Sequence, residues 1–174
     1  MFIDMKVWLI AAMSVDGKIA ENPDQISTDW TSKEDAQFFS SKTKEAGVMV
    51  MGRKTYDTIC KPLPGRRIIV MSRSLLSEPV EGSKGGTVEY TSESPEEIIE
   101  SLKKEGCETL VVAGGSSIYG AFLQAGLVTD MYLTIEPLMF GDGVPLATGF
   151  DRVDMTLVDV SQLGEQAVLL HYKL

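Results

Sequence analysis

Six cations crowd between Gly52 and Arg73. Arg53, Lys54, Lys61, Arg66, Arg67 and Arg73 stand there against Asp57 alone, a local net charge of +5 on a chain whose total is −9. A basic island on an acidic protein suits a small polyanionic ligand better than a polymer. Arg53 and Lys54 follow Gly52 where an apolar run gives way to helix-forming residues, and a helix start presents unpaired amides to an anion. Gly114-Gly115-Ser116-Ser117 is a second junction of this kind. Two such junctions side by side could hold a pyrophosphate from both ends, although neither has GxGxxG or P-loop spacing. Asp35 is the acid to watch, and it has two readings. It lies three residues after Ser32, where an acid stabilises a helix start, or it projects into a cleft beside Phe38 and Phe39. Low polarity in such a cleft would strengthen its hydrogen bonds to a cationic or amide-bearing ring.

These residues need elements to position them. Val7 to Met13 is a short unbroken apolar run, the pattern of a central strand buried on both faces. Asp16-Gly17 ends it, and the polar stretch from Glu21 to Asp29, with Pro23, predicts a loop directly after that strand. Loops in this position often cover ligands. A helix is expected from Ser32 to about Glu45, closed by Gly47. Strands follow at Val48–Met51, Ile68–Met71, Thr87–Tyr90, Thr109–Ala113 and Met131–Pro137. Short helices open at Gly52 and after Gly115, and Ser94-Pro95-Glu96-Glu97 carries the N-cap, the proline and the acid of a helix start. Met155–Val160 and Ala167–Tyr172, separated by Gly164, read as a terminal hairpin. Strands alternating with helices predict an α/β protein with a mostly parallel sheet, and the hairpin adds an antiparallel edge.

Composition narrows the class of function. With 174 residues the expectation is a single domain over 1–174. Hydrophobic residues make up 44% and charged residues 24%, without an apolar run long enough to span a bilayer. The acidic balance has the wrong sign for a nucleic-acid surface, so neither nucleic acid nor membrane is an expected partner. Cys60 and Cys107 lack metal-ligand spacing, and His171, the single histidine, sits in an apolar C-terminal run as a core or strand-edge residue would. No metal is expected, and acid or base chemistry falls to carboxylates. The first six residues do not read as a signal peptide, which makes the cytoplasm the expected compartment.

The same residues resemble the dihydrofolate reductase family along nearly the whole chain. Leu9 to Ala20 is similar to that family's first strand and the start of its mobile loop. Asp29-Trp30, then Asp35, Phe39 and Thr43, repeat its spacing. Met51-Gly52-Arg53-Lys54-Thr55-Tyr56, Pro62-Leu63-Pro64-Gly65-Arg66 and Val70-Met71-Ser72-Arg73 form the most specific stretch. Gly114 to Tyr119, Tyr132-Leu133-Thr134 and Phe140-Gly141-Asp142 complete it. The resemblance implies a three-layer fold with a mixed, mostly parallel eight-stranded sheet, and reduction of 7,8-dihydrofolate by NADPH in one-carbon metabolism. Hydride would pass from nicotinamide C4 to pterin C6, with N5 protonated by water and Asp35 biasing that protonation electrostatically.

Carried over residue by residue, the resemblance gives Asp35 the pterin amino group and ring nitrogen, with Thr134 nearby and Trp30 positioning water. Ala11, Phe39 and Ile59 would line the substrate pocket, and Arg66 would pair with the glutamate carboxylate. Arg53, Lys54, Ser72 and Arg73 would surround the 2′-phosphate of NADPH. Thr55 with Gly115, Ser116, Ser117 and Ile118 would hold the pyrophosphate, and Gly52, Gly114 and Tyr119 would belong to the same cofactor site. Ala12, Ile19 and Ala20 would line the nicotinamide pocket. Ser14 to Ala20 and Ala125 to Asp130 also resemble the pyrimidine reductase of riboflavin biosynthesis, and Gly141 to Leu146 lacks the Phe-Pro usual after the dihydrofolate reductase Gly-Asp. A reductase of an aminopyrimidinone ribosyl phosphate is the alternative, and a nucleotide-binding module without catalysis ranks last.

Overall fold

A computed structural model describes residues 5–74 and 78–174, leaving most of the N-terminal hexapeptide outside the described residues. Its elements, in chain order, are β1 (Lys6–Ser14), β2 (Lys18–Ala20), α1 (Lys33–Ala46), β3 (Val48–Gly52), α2 (Arg53–Ile59), β4 (Arg67–Met71), β5 (Val80–Glu81), β6 (Thr87–Thr91), α3 (Pro95–Lys104), β7 (Thr109–Val112), α4 (Ser116–Gln124), β8 (Asp130–Glu136), β9 (Val144–Pro145), β10 (Thr156–Leu163) and β11 (Ala167–Lys173).

One nine-stranded sheet runs in the order β10-β11-β8-β1-β7-β3-β4-β6-β5. The six strands from β8 to β6 are mutually parallel, and β11 joins β8 antiparallel as the terminal hairpin. The ninth strand, beyond the eight expected, is the two-residue β5, which pairs antiparallel with β6.

Both faces of the central strands are covered, which is why these strands read as unbroken apolar runs. On β1, Val7, Leu9 and Ala11 enter a core with Ile98 and Leu102 of α3 and Phe122 of α4. Trp8 and Ile10 face the other way, into a core with Tyr56 of α2 and Phe38 and Phe39 of α1. Two helical layers therefore sandwich the sheet. The helices begin and end where local chemistry directs them. Ser32 caps α1, accepting the Asp35 amide at 3.2 Å, and Gly47 closes it at φ 75°. Ser94 and Glu97 form a reciprocal capping box on α3.

The chain leaves β1 for β3, β4 and β6, then returns to insert β7 between β1 and β3. Strand direction from the centre thus reverses beside the carboxyl ends of β1, β3 and β7, and open α/β sheets bind ligands at such points. His171 lies elsewhere: its Nε2 is 2.8 Å from Asp130 Oδ1, and its ring stacks on Tyr132 at 4.3 Å. Cys60 and Cys107 are both free thiols.

Candidate active site

A cleft of about 1560 Å³ opens at that reversal point. β1 contributes Ala11 and Ala12 as a small-residue wall, and β2 brings Ile19 and Ala20 across from it. The loop carrying β2 is tied down at its start. The Asp16 carboxylate accepts the Ser14 hydroxyl at 2.5 Å and the amides of Phe140 and Gly141 at 3.1 and 2.8 Å. The Ser14 bond foremost, and then those two amides, hold its carboxyl below the ordinary aspartate range. β2 also pairs with β9, so the 140–146 segment fixes where Ile19 and Ala20 face the cleft.

Two helix starts meet on the cleft floor. Gly52 ends β3 and caps α2, placing Arg53, Lys54 and Thr55 in the first turn, while Gly115 caps α4. The Gly52 amide donates to Gly114 O at 2.8 Å, joining the two junctions. Space is tight there. A Cβ on Gly52 would stand 3.0 Å from Ile118 Cγ1, and one on Gly115 would stand 3.2 Å from Thr55 Oγ1. The Ser116 hydroxyl is buried in this cradle without a hydrogen-bond partner among the described residues. Buried polar groups are rarely left so, and a hydroxyl at a helix start suits an anion's oxygen. Ser72 and Arg73, after β4, complete a cationic rim with Arg53 and Lys54; Ser117, Ile118 and Tyr119 line the same part of the cleft.

The opposite wall is α1. Asp35, Phe39 and Thr43 recur every fourth residue and so share one face. Eight residues at 1.5 Å rise separate Asp35 from Thr43 by about 12 Å along the axis. Asp35 is 9% exposed and lines the cleft. Burial above all lifts its carboxyl out of the ordinary aspartate range; the Thr134 hydroxyl pulls it back, and the Glu136 charge pushes it up again. At the far end Arg66 is 7% exposed. Its Nε donates to Pro64 O at 3.2 Å and its Nη1 to Thr43 Oγ1 at 3.1 Å, with no carboxylate within ion-pair distance among the described residues. Desolvation lowers its pKa, as expected for a buried guanidinium without a counter-charge. Ile59 stands between these ends on the α2 side.

The structure thus brings nearly all the residues singled out from sequence to one cleft. Phe38, expected beside the cleft, instead packs into the core against Tyr132 at 5.8 Å, and two of the residues carried over from the family stand back from the cleft wall. Thr134 is buried behind Asp35, acting on it rather than lining the space. Trp30 packs edge-on against Phe140 at 5.2 Å, its indole N–H buried without a partner among the described residues. Ser27 and Thr28, on a 3₁₀ turn, belong to the 21–29 loop expected to cover a ligand. Val144 and Pro145 of β9 and the N-cap Ser94 line the cleft as well, whereas Thr91 at the end of β6, Ser92, Glu93 and Thr148 had no signal in the sequence. A mid-helix glycine could have pointed to Thr148. Gly120 sits inside α4, where glycine costs about 1 kcal/mol relative to alanine, and a Cβ there would fall 1.6 Å from Thr148 O.

A cleft with an anion cradle at the sheet's reversal point and an acid on the facing helix defines a class: α/β proteins that bind ligands outside the carboxyl ends of their strands. Residues 6–156 match the dihydrofolate reductase family, and the chain belongs to it. It is thereby an oxidoreductase. It is 32% identical over 173 residues to the dihydrofolate reductase of Neisseria meningitidis serogroup B, covering 97% of this chain and 98% of that protein. The fold is shared with a pyrimidine reductase-like protein of Corynebacterium diphtheriae (TM-score 0.78, 18% identity, 98% of this chain and 92% of that one). It is shared too with the Thermotoga maritima diaminohydroxyphosphoribosylaminopyrimidine deaminase/5-amino-6-(5-phosphoribosylamino)uracil reductase (TM-score 0.77, 18% identity, 97% of this chain and 56% of that one).

Proposed function

We propose that the protein reduces 7,8-dihydrofolate to 5,6,7,8-tetrahydrofolate with NADPH. The α1 wall carries this reading: a buried acid, Asp35, stands at one end of a helix face, and about 12 Å along that face Thr43 holds the uncompensated guanidinium of Arg66, with Phe39 between them. That layout fits a flat ring with an amino group at one end, an aromatic middle and a carboxylate tail. Asp35 accepts hydrogen bonds from the ring's amino group, and Phe39 packs on the middle of the ligand. Arg66, held by Thr43 and Pro64, takes the tail carboxylate with its planar fork.

The residues of the cradle fit NADPH. The unpartnered Ser116 hydroxyl and the crowded glycines suit the pyrophosphate, and Arg53, Lys54, Ser72 and Arg73 suit the 2′-phosphate. When bound, NADPH supplies the hydride. The chain's own tasks are to align, to exclude water and to manage one proton. Ala12, Ile19 and Ala20 close an apolar pocket against which a second flat ring can rest. Burial makes a lone charge on Asp35 costly, and an ionised Asp35 beside the ring favours the ring's protonated form, with water delivering the proton.

The test is loss of the reduced-nicotinamide absorbance with dihydrofolate, and in parallel with an aminopyrimidinone ribosyl phosphate. Turnover with dihydrofolate and at most slow turnover with the pyrimidine is expected. The opposite preference would assign the protein to the riboflavin-pathway reaction, and no turnover with either would leave a nucleotide-binding module.

A further inference from the structure

α1 and α3 start with the same arrangement, a serine N-cap and an acid three residues later, and use it differently. On α3 the box closes locally: the Ser94 amide donates to Glu97 Oε2 at 2.8 Å and the Glu97 amide to Ser94 Oγ at 3.3 Å. On α1 only half of the box is made, by the Asp35 amide on Ser32 Oγ at 3.2 Å. The other half is taken from across the fold. The Ser32 amide and the Ser32 hydroxyl both donate to Oε1 of Glu136, each at 2.7 Å. Glu136 ends β8, is 3% exposed, and follows Thr134 at the two-residue spacing that puts both on one face of the sheet.

A free Ser32 amide is the natural target of an acid at the third helical position. We propose that Glu136 is a positioning residue: by occupying the Ser32 amide and hydroxyl it keeps the Asp35 carboxyl off the helix start and facing the cleft. The Glu136 carboxylate also lies close enough for its like charge to oppose ionisation of Asp35. The groups around the pair come from every neighbouring element. Thr134 adjoins Asp35 from β8, and Tyr119 of α4, whose hydroxyl is bonded to Ile10 O, feels the Asp35 charge. Glu34 of α1 and Glu165 of the hairpin turn share a small pocket of about 250 Å³ with Glu136. None of these is a cation, and Glu136 forms no ion pair among the described residues.

The role of Asp35 toward substrate rests on the function proposed above, whereas its titration does not. Two variants separate geometry from charge. Glu136→Gln keeps an acceptor oxygen for Ser32 and removes the charge; Glu136→Ala removes both. The Asp35 carboxyl is followed by ¹³C NMR in the free protein, its resonance assigned by its loss in Asp35→Asn. In Glu136→Gln it is expected to titrate at lower pH than in the wild type, and the acid limb of kcat shifts the same way. In Glu136→Ala the Asp35 carboxyl is freed to cap Ser32. KM for dihydrofolate then rises roughly tenfold while KM for NADPH stays within about twofold, and glutamine largely restores it.

An alanine variant that keeps the wild-type KM for dihydrofolate, or that loses substrate and cofactor binding together, overturns the positioning role, and an unchanged Asp35 titration in Glu136→Gln overturns the effect of its charge. If the alanine variant does not fold, the glutamine titration decides. A normal shift in a protein that never turns over dihydrofolate counts against the proposed substrate and leaves the positioning role standing.

Discussion

Arg66 and Arg67 are neighbours in sequence and opposites in environment. Arg67 opens β4 and is answered at once: its guanidinium bonds Glu89 Oε1 at 2.7 Å and also reaches Glu105, and together these partners outweigh desolvation and raise its pKa. Arg66 is buried more deeply and has only a threonine hydroxyl and a carbonyl. The first arginine is finished by the fold itself. The second carries a desolvated charge with no ionic partner among the described residues, and the proposed function gives it one in the substrate carboxylate. Asp35 and the Ser116 hydroxyl belong with Arg66 in this respect, whereas Asp130, bonded to both His171 and Thr129, belongs with Arg67. Perturbed, incompletely paired groups in a cleft mark function more often than stability.

The largest expected effect breaks this comparison at Asp35. Asp35→Asn should lower turnover of dihydrofolate near neutral pH by about a hundredfold or more, in the range that loss of one acid or base group produces. Its remaining activity should rise as pH falls and solvent protonates the substrate. Stability should move the other way. A carboxyl whose folded pKa lies above its unfolded one binds its proton more tightly when folded, so ionisation destabilises the fold. The variant should therefore gain stability relative to wild type as pH rises through the ordinary aspartate pKa to the raised one, and lose that gain on acidification. Thermal melts across that window check the sign. A steady loss of stability with near-normal turnover would make Asp35 a helix-start acid and nothing more.

A smaller effect is expected in the cradle. Arg53→Ala should raise KM for NADPH about tenfold and leave KM for NADH within roughly twofold, because one charge-assisted contact to phosphate contributes about 1.5 kcal/mol. Steady-state kinetics with both nucleotides read this directly, and equal losses would remove Arg53 from the phosphate site. Arg67→Ala should show the smallest effect. Its half-exposed ion pairs contribute up to about 1 kcal/mol each, seen as a lower Tm with both KM values unchanged.

Much of this was legible before any coordinates. Ser32 and Gly47 bound α1, the Gly52 and Gly115 junctions open their helices, and the apolar run from Val7 to Met13 is β1, because each of these signals is local. What escaped depends on contacts distant in sequence. β2 and β9 span three and two residues, one of them a proline, and exist because Asp16 ties their two loops together. β5 is equally short and made the sheet nine-stranded. Glu136 lies 104 residues from the serine it bonds. In the role proposed for it, its side chain favours the cleft reading of Asp35 over the helix-start one. Ser32-x-x-Asp35 and Ser94-x-x-Glu97 look alike as strings, and only the strand packed beside the first one tells them apart.

The paired arginines provide the most direct measurement of the central claim, that the fold leaves specific charges for the substrate. Arg66→Leu and Arg67→Leu are compared for dihydrofolate Kd and for Tm. Arg66→Leu should weaken dihydrofolate by roughly ten- to a hundredfold, the loss of about 1.5–3 kcal/mol for a charged hydrogen-bonded pair. It should bind pteridines that lack the glutamate tail almost as wild type does, with Tm unchanged or higher because an unpaired buried charge is gone. Arg67→Leu should lower Tm and leave Kd within about threefold. If Arg66→Leu instead unfolds the protein more than Arg67→Leu does, or weakens tailed and tailless pteridines alike, Arg66 is a structural residue and the charge it carries is not meant for a substrate carboxylate.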